Sequence, residues 1–278
     1  MRTLFALWLV GILGFAANLP APRDRSFSFE YAVTVKDVPT GAHTVDIWLP
    51  APHDDAFQRI VNLHVDAPYP YEIATGTEDN HILHIRVTGP KEPAIALAMR
   101  FDAVRKEHIQ PLPAASLANG AAEPAGLERY LQPDRLVPLD DTIRRWAREV
   151  VDAAGAKTDL EMARAVGIPA RFAIGFPLPA DRGAGKIAGY HCWAEFYAKG
   201  IGWVPVDASE AAKNPAKREY FFGAHDQNRV ELSKGRDVIL VPKQHGGPLN
   251  YFVYPYVEPD GGKYLSLDTR CSYKDLPL

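Results

Sequence analysis

The chain has 278 residues, 47% of them hydrophobic, with 31 basic and 34 acidic side chains and a formal net charge of -3 at pH 7. That balance argues against a basic nucleic-acid surface and a polybasic membrane anchor, while the length supports one large domain or two small ones with a real core. Twenty-four widely spread prolines favour loops and edge strands, so the expected class is α+β with strands predominating.

Met1-Arg2-Thr3 precedes an apolar run over residues 4–15, with small residues at Gly14, Ala16 and Ala17. A positive start, an apolar core and a small-residue exit describe a secretory signal peptide over 1–17, and hence export to a periplasmic or extracellular space. An anchor would need about 20 apolar residues, and no later segment is apolar enough to span a bilayer. From Ser26 the pattern turns β. Phe27, Phe29, Tyr31, Val33 and Val35 alternate with polar or small residues, Pro39-Thr40-Gly41 supplies a turn, and residues 43–49 follow, so the two runs read as a hairpin. Further strands are expected over 59–65, 81–87 and 94–101, giving a β-rich N-terminal domain over 18–111. His81 and His84 would face opposite ways on a strand, which speaks against a metal pair. His43, His53 and His64 have no evident partner.

Residues 112–126 are rich in Ala, Pro and Gly and read as a linker to a second domain over 127–278. Asp140-Asp141 can cap a helix whose Ile143, Trp146, Val150 and Val151 share a face. Thr158 followed by Glu161 fits a capping box for a second helix, which Gly167 and Pro169 must end. Phe172, Ile174 and Phe176 then alternate as a core strand, and residues 177–187 read as a loop.

Residues 189–197 and 201–207 read as the arms of a β-hairpin about Ala198-Lys199-Gly200. Folding about Lys199 sets His191 opposite Asp207, Trp193 opposite Pro205 and Glu195 opposite Trp203, with facing Cβ atoms roughly 5 Å apart. His191 and Asp207 thus share a face. A carboxylate beside a histidine fixes its tautomer and stabilises the imidazolium, as in a nucleophile-His-Asp triad; equally, such a polar pair can simply pin the register. Cys192 points to the other face, away from the imidazole. Beyond Asp207, a helical turn begins at Ala208, and His225-Asp226 reads as structural. Strands are expected over 238–241, 251–256 and 263–267, the last two closing as a hairpin through Pro259-Asp260-Gly261-Gly262. No Gly-rich phosphate loop follows a strand, and neither a cofactor nor a metal is expected. Whether Cys192 and Cys271 pair is left open, as is the oligomeric state.

Three blocks, G-I-P-A-R-F at 167–172, H-C-W-A-E at 191–195 and G-W-V-P-V-D at 202–207, resemble in content and order the transglutaminase-like superfamily of papain-type thiol enzymes. The resemblance implies an antiparallel papain-type sheet plus helices, with His191 and Asp207 completing a triad with an upstream helix-borne cysteine. The chain departs from it at that cysteine: its two cysteines are Cys192 and Cys271, Lys157 or a position near Asp152 stands where the thiol belongs, and Thr158 is occupied as a cap. A nucleophile-bearing segment is read as absent and the domain as truncated. The function expected is an exported relative of Cys-His-Asp acyl-transfer or amide-hydrolysing enzymes, inactive for want of the thiol. The alternatives are a binding module for a protein, peptide or cell-envelope polymer, with Trp193, Tyr190 and residues 177–187 as its rim, or a non-functional deletion product.

Overall fold

The computed structural model describes residues 21–110, 126–136, 138, 140–142, 145, 149 and 168–277. The expected signal peptide, the linker apart from Gly126, and the helix positions Ile143, Trp146, Val150, Val151, Asp152, Lys157, Thr158 and Glu161 lie outside the described residues. Among the described residues, no helix is long and apolar enough to cross a membrane.

The described chain is mostly antiparallel sheet. In chain order the strands are β1 (Asp24–Val35), β2 (Thr44–Ala51), β3 (Gln58–Asp66), β4 (Tyr71–Thr75), β5 (His81–Thr88), β6 (Ile95–Lys106), β7 (His108–Ile109), β8 (Ala170–Pro177), β9 (Ala184–Ile187), β10 (His191–Ala198), β11 (Gly202–Val206), β12 (Ala224–His225), β13 (Arg229–Lys234), β14 (Tyr256–Pro259) and β15 (Leu267–Asp275). A short helix, α1 (Ala208–Lys213), follows β11. One sheet runs β3-β6-β1-β15-β9, a second β14-β2-β5-β4 and a third β11-β10-β8-β13, with β12 and β7 forming a small ribbon.

The period-two pattern of β1 is realised, with Phe27, Phe29, Tyr31, Val33 and Val35 all buried. They pack with Val45, Ile47 and Leu49 of β2, Leu97, Met99 and Phe101 of β6, Ile174 and Phe176 of β8, and Val230 and Leu232 of β13. One apolar core therefore serves all three large sheets. The expected hairpin of residues 26–35 with 43–49 does not form. β1 pairs with β6 and β15, and β2 with β5 and β14, because each run has an apolar face and the two faces gain more by packing across the core than by sharing a sheet. The closing hairpin is likewise reduced to its turn, with Gly262 N–H bonding Pro259 O at 2.8 Å and a single bridge between Val257 and Tyr264. Its two arms leave for different sheets, and the strand expected over 238–241 is one bridge from Val238 to Leu249. Part of the expected 177–187 loop is strand β9, paired with β15.

Two devices, one polar and one steric, fix this arrangement. Arg25, fully buried, donates to both carboxylate oxygens of Asp275 at 2.8 and 2.9 Å, to Pro179 O at 2.6 Å and to the Asn228 side chain at 2.8 Å. It thereby fastens β1, β15, the segment after β8 and the start of β13. At Gly175 on β8, an added Cβ would lie 1.8 Å from Val230 O, so only glycine lets β13 approach at the bulge between Glu231 and Ser233.

Truncating one partner of a buried ion pair strands the other charge, at a cost of about 3–5 kcal/mol. Arg25→Ala should therefore lower the urea-unfolding free energy by about 3 kcal/mol, whereas Arg100→Ala, which breaks a 2.6 Å pair with Glu30 on the surface, should leave the midpoint unchanged. Equal effects would show that the Arg25 network does not fasten the sheets.

Candidate active site

The hairpin forms with a shifted register. Glu195 faces Pro205 and Tyr197 faces Trp203, so each residue of β10 meets a partner two positions beyond the expected one. The loop is Lys199-Gly200-Ile201, with positive φ at Gly200 (75°) and again at Gly202 (104°); this second glycine moves the turn along the chain. A slide of two keeps each side chain on its expected face, where a slide of one would not. His191 consequently pairs with Gly175 of β8 rather than with β11 and reaches Asp207 diagonally.

That reach closes a 2.7 Å hydrogen bond between His191 Nε2 and Asp207 Oδ2. The same oxygen accepts from Arg229 Nη1 of β13 at 2.8 Å, and Oδ1 accepts from Glu210 N at 3.1 Å and Ser209 Oγ at 3.2 Å. Asp207 is the N-cap of α1, so the helix start and its dipole both favour the anion. Burial alone would raise this carboxyl's pKa. The His191 hydrogen bond, the Arg229 charge and the Glu210 amide outweigh that and hold it well below the usual carboxylate range. With the carboxylate ionised, Nε2 must carry the hydrogen, which leaves the lone pair of a neutral ring on Nδ1. Among the described residues, none bonds that Nδ1.

The charges of the first two blocks also meet. Arg171 of β8 donates to Glu195 Oε2 at 2.6 Å across a directly facing pair, with its guanidinium 4.2 Å from the centre of the Trp203 ring. Cys192 and Cys271 are both free. Cys192 packs against the apolar core on the face opposite His191, and burial pushes its pKa up. Burial raises the Cys271 thiol to about 12. Neither sulfur is poised as a thiolate.

The expected rim is corrected at Trp193, which is only 3% exposed. Its ring lies under Arg229 at 4.9 Å and edge-on to His225. Tyr190 is exposed, with its ring tilted against Tyr251 and edge-on to Tyr254. Of the other histidines, His84 bonds Asp46 at 2.7 Å and His81 lies against His53. Arg229 was not anticipated from the sequence. It belongs to an R-V-E-L-S-K strand whose alternation is visible, but its polar face, which a surface strand would turn to water, is buried.

Residues 153–208 match the profile of the transglutaminase-like superfamily. The chain is 35% identical over 139 aligned positions to an uncharacterised protein of Haemophilus influenzae, covering 39% of this chain and 38% of that protein; it thus spans well under half of that relative. Its fold is similar to a crystal structure from Cytophaga hutchinsonii provisionally assigned as a cysteine protease, with a TM-score of 0.55 and 12% identity over 92% of each chain. The three sequence blocks, the His191–Asp207 geometry and these comparisons agree in making this part of the chain similar to the transglutaminase-like superfamily, over residues 153–208.

Proposed function

We propose that this chain is an exported transglutaminase-like protein that keeps the proton-shuttling half of a thiol acyl-transfer site and performs no acyl transfer or amide hydrolysis. The observation that carries the reading is the 2.7 Å His191–Asp207 pair in a chain whose two cysteines both have raised pKa values. In thiol acyl transfer the sulfur attacks a carbonyl, the imidazole takes and returns the proton, and the acid orients the ring. Here Asp207 orients the ring and leaves Nδ1 as the base, without a thiol to serve. The N-terminal apolar run supports export.

A second reading, a binding module for peptide or cell-envelope polymer, is favoured by the aromatic group of Tyr190 (43% exposed), Tyr251 and Tyr254 (37% exposed). Exposed rings of this kind offer flat apolar faces at low entropic cost. On this reading Tyr190→Ala weakens retention on purified cell-wall polymer, and unchanged retention discards it.

With a glutamine peptide and a labelled amine, the full chain should give no turnover above background. Turnover abolished by iodoacetamide would overturn the proposal.

The orienting acid has its own signature. A carboxyl whose folded pKa lies below its unfolded value stabilises the fold fully above the unfolded value, near 3.9, and loses that contribution as pH falls through the folded value. Asp207→Asn should cost about 3 kcal/mol at pH 7 by stranding Arg229, and should flatten the stability profile below about pH 4. An unchanged acid limb measured by urea unfolding would show that Asp207 is not held as an anion.

A further inference from the structure

A second group of polar side chains lies on the same face of β10 as His191 but takes no part in the dyad. The antiparallel pairing of β7 with β12 sets His108 directly opposite His225, and directly opposed residues share a face of their ribbon. Glu195 of β10 joins them, with His108 Nδ1 4.0 Å from Glu195 Oε1. One ligand atom from each of the three lies within 4.8 Å of the others. All three residues are at least 95% buried, and the Nδ1 atoms of both histidines have no hydrogen-bond partner among the described residues.

We propose that His108, Glu195 and His225 form a buried binding site for a borderline divalent cation of the Zn²⁺ type. Two imidazoles and a carboxylate are the donor set such ions take, and three protein ligands leave a fourth position for water. Bonds of about 2.0–2.2 Å in a tetrahedron need donor atoms roughly 3.3 Å apart, so the present separations close by about an ångström on loading. Unpaired ring nitrogens in the interior carry a cost, and a metal removes it.

The surroundings suit this ligand. Glu195 presents Oε1 to the cluster while Arg171 holds its Oε2 at 2.6 Å, the kind of outer partner that aims a ligating carboxylate. Phe57 stacks on the His108 ring at 3.6 Å between centres, and the Trp193 ring lies edge-on to His225, so aromatic walls exclude bulk water. Of the neighbouring cations, Arg229 is paired with Asp207 and Lys234 with Glu231, while Arg105 lies 3.7 Å from Asp55 with its Nε and Nη1 left without a hydrogen-bond partner among the described residues. Burial also lowers the pKa of His108 to about 4 and that of His225 well below its usual value, leaving both rings neutral as ligands require. The inference is independent of whether the chain performs acyl transfer.

The full chain, stripped with EDTA, is titrated with Zn²⁺ by calorimetry and followed by thermal unfolding. The expected result is one equivalent bound and a rise in Tm of about 5 °C at hundredfold excess over Kd, both lost in His225→Leu and in His108→Gln. No binding, or binding retained in variants with wild-type circular dichroism, overturns the proposal. Should the variants fail to fold, Co²⁺ in the wild-type chain decides: visible bands of an enclosed four-coordinate ion support the site, and the spectrum of hydrated Co²⁺ overturns it.

Discussion

The carboxylate of Asp207 is withdrawn from water entirely and must find all its partners within the protein. It takes them from three elements: the imidazole of β10, the guanidinium of β13, and the Glu210 amide and Ser209 hydroxyl of α1. Desolvating a charge costs several kcal/mol unless such partners are in place together, so its burial is possible only when hairpin, helix start and neighbouring strand are mutually registered. The His191 ring is therefore oriented by the same contacts that let the core close. A histidine–acid pair of this kind can persist for structural reasons after, or without, any turnover.

The interior of this region holds several ion pairs beside its apolar core. Arg171 with Glu195, Lys234 with Glu231 and Arg229 with Asp207 are all largely buried pairs. Buried pairs add little net stability over apolar packing, but an unmatched partner is severely penalised. They act here as keys that accept one strand arrangement. Gly175 serves the same end sterically, since the close passage of β13 over β8 admits no side chain there.

Much of this was legible in the sequence because it is local. The alternation of β1 and the residue types of the hairpin fix which face each side chain takes, and parity survives a register slide of two, so the His191–Asp207 pairing could be read even though the partners opposite one another could not. The slide itself depends on φ at Gly200 and Gly202, where the sequence offers two equally permissive residues. Strand partners were not legible: β1 and β2 are neighbours in the chain with compatible turn chemistry between them, yet the core separates them. Non-local clusters were hidden for the same reason. His108, Glu195 and His225 follow no ligand spacing, and only the β7–β12 ribbon and the neighbouring β10 bring them together. Arg229 sat in a visible alternation whose polar side was natural to assign to solvent.

Strand β15 lies between β1 and β9 in the first sheet, so the edge of β1 that it covers stays unpaired until residues some 240 positions later have been made. Contacts of such sequence separation slow folding and leave an open strand edge in the meantime. A chain built this way should need shielding during synthesis, and it should be far more sensitive to loss of the nine residues of β15 than their small share of the mass implies.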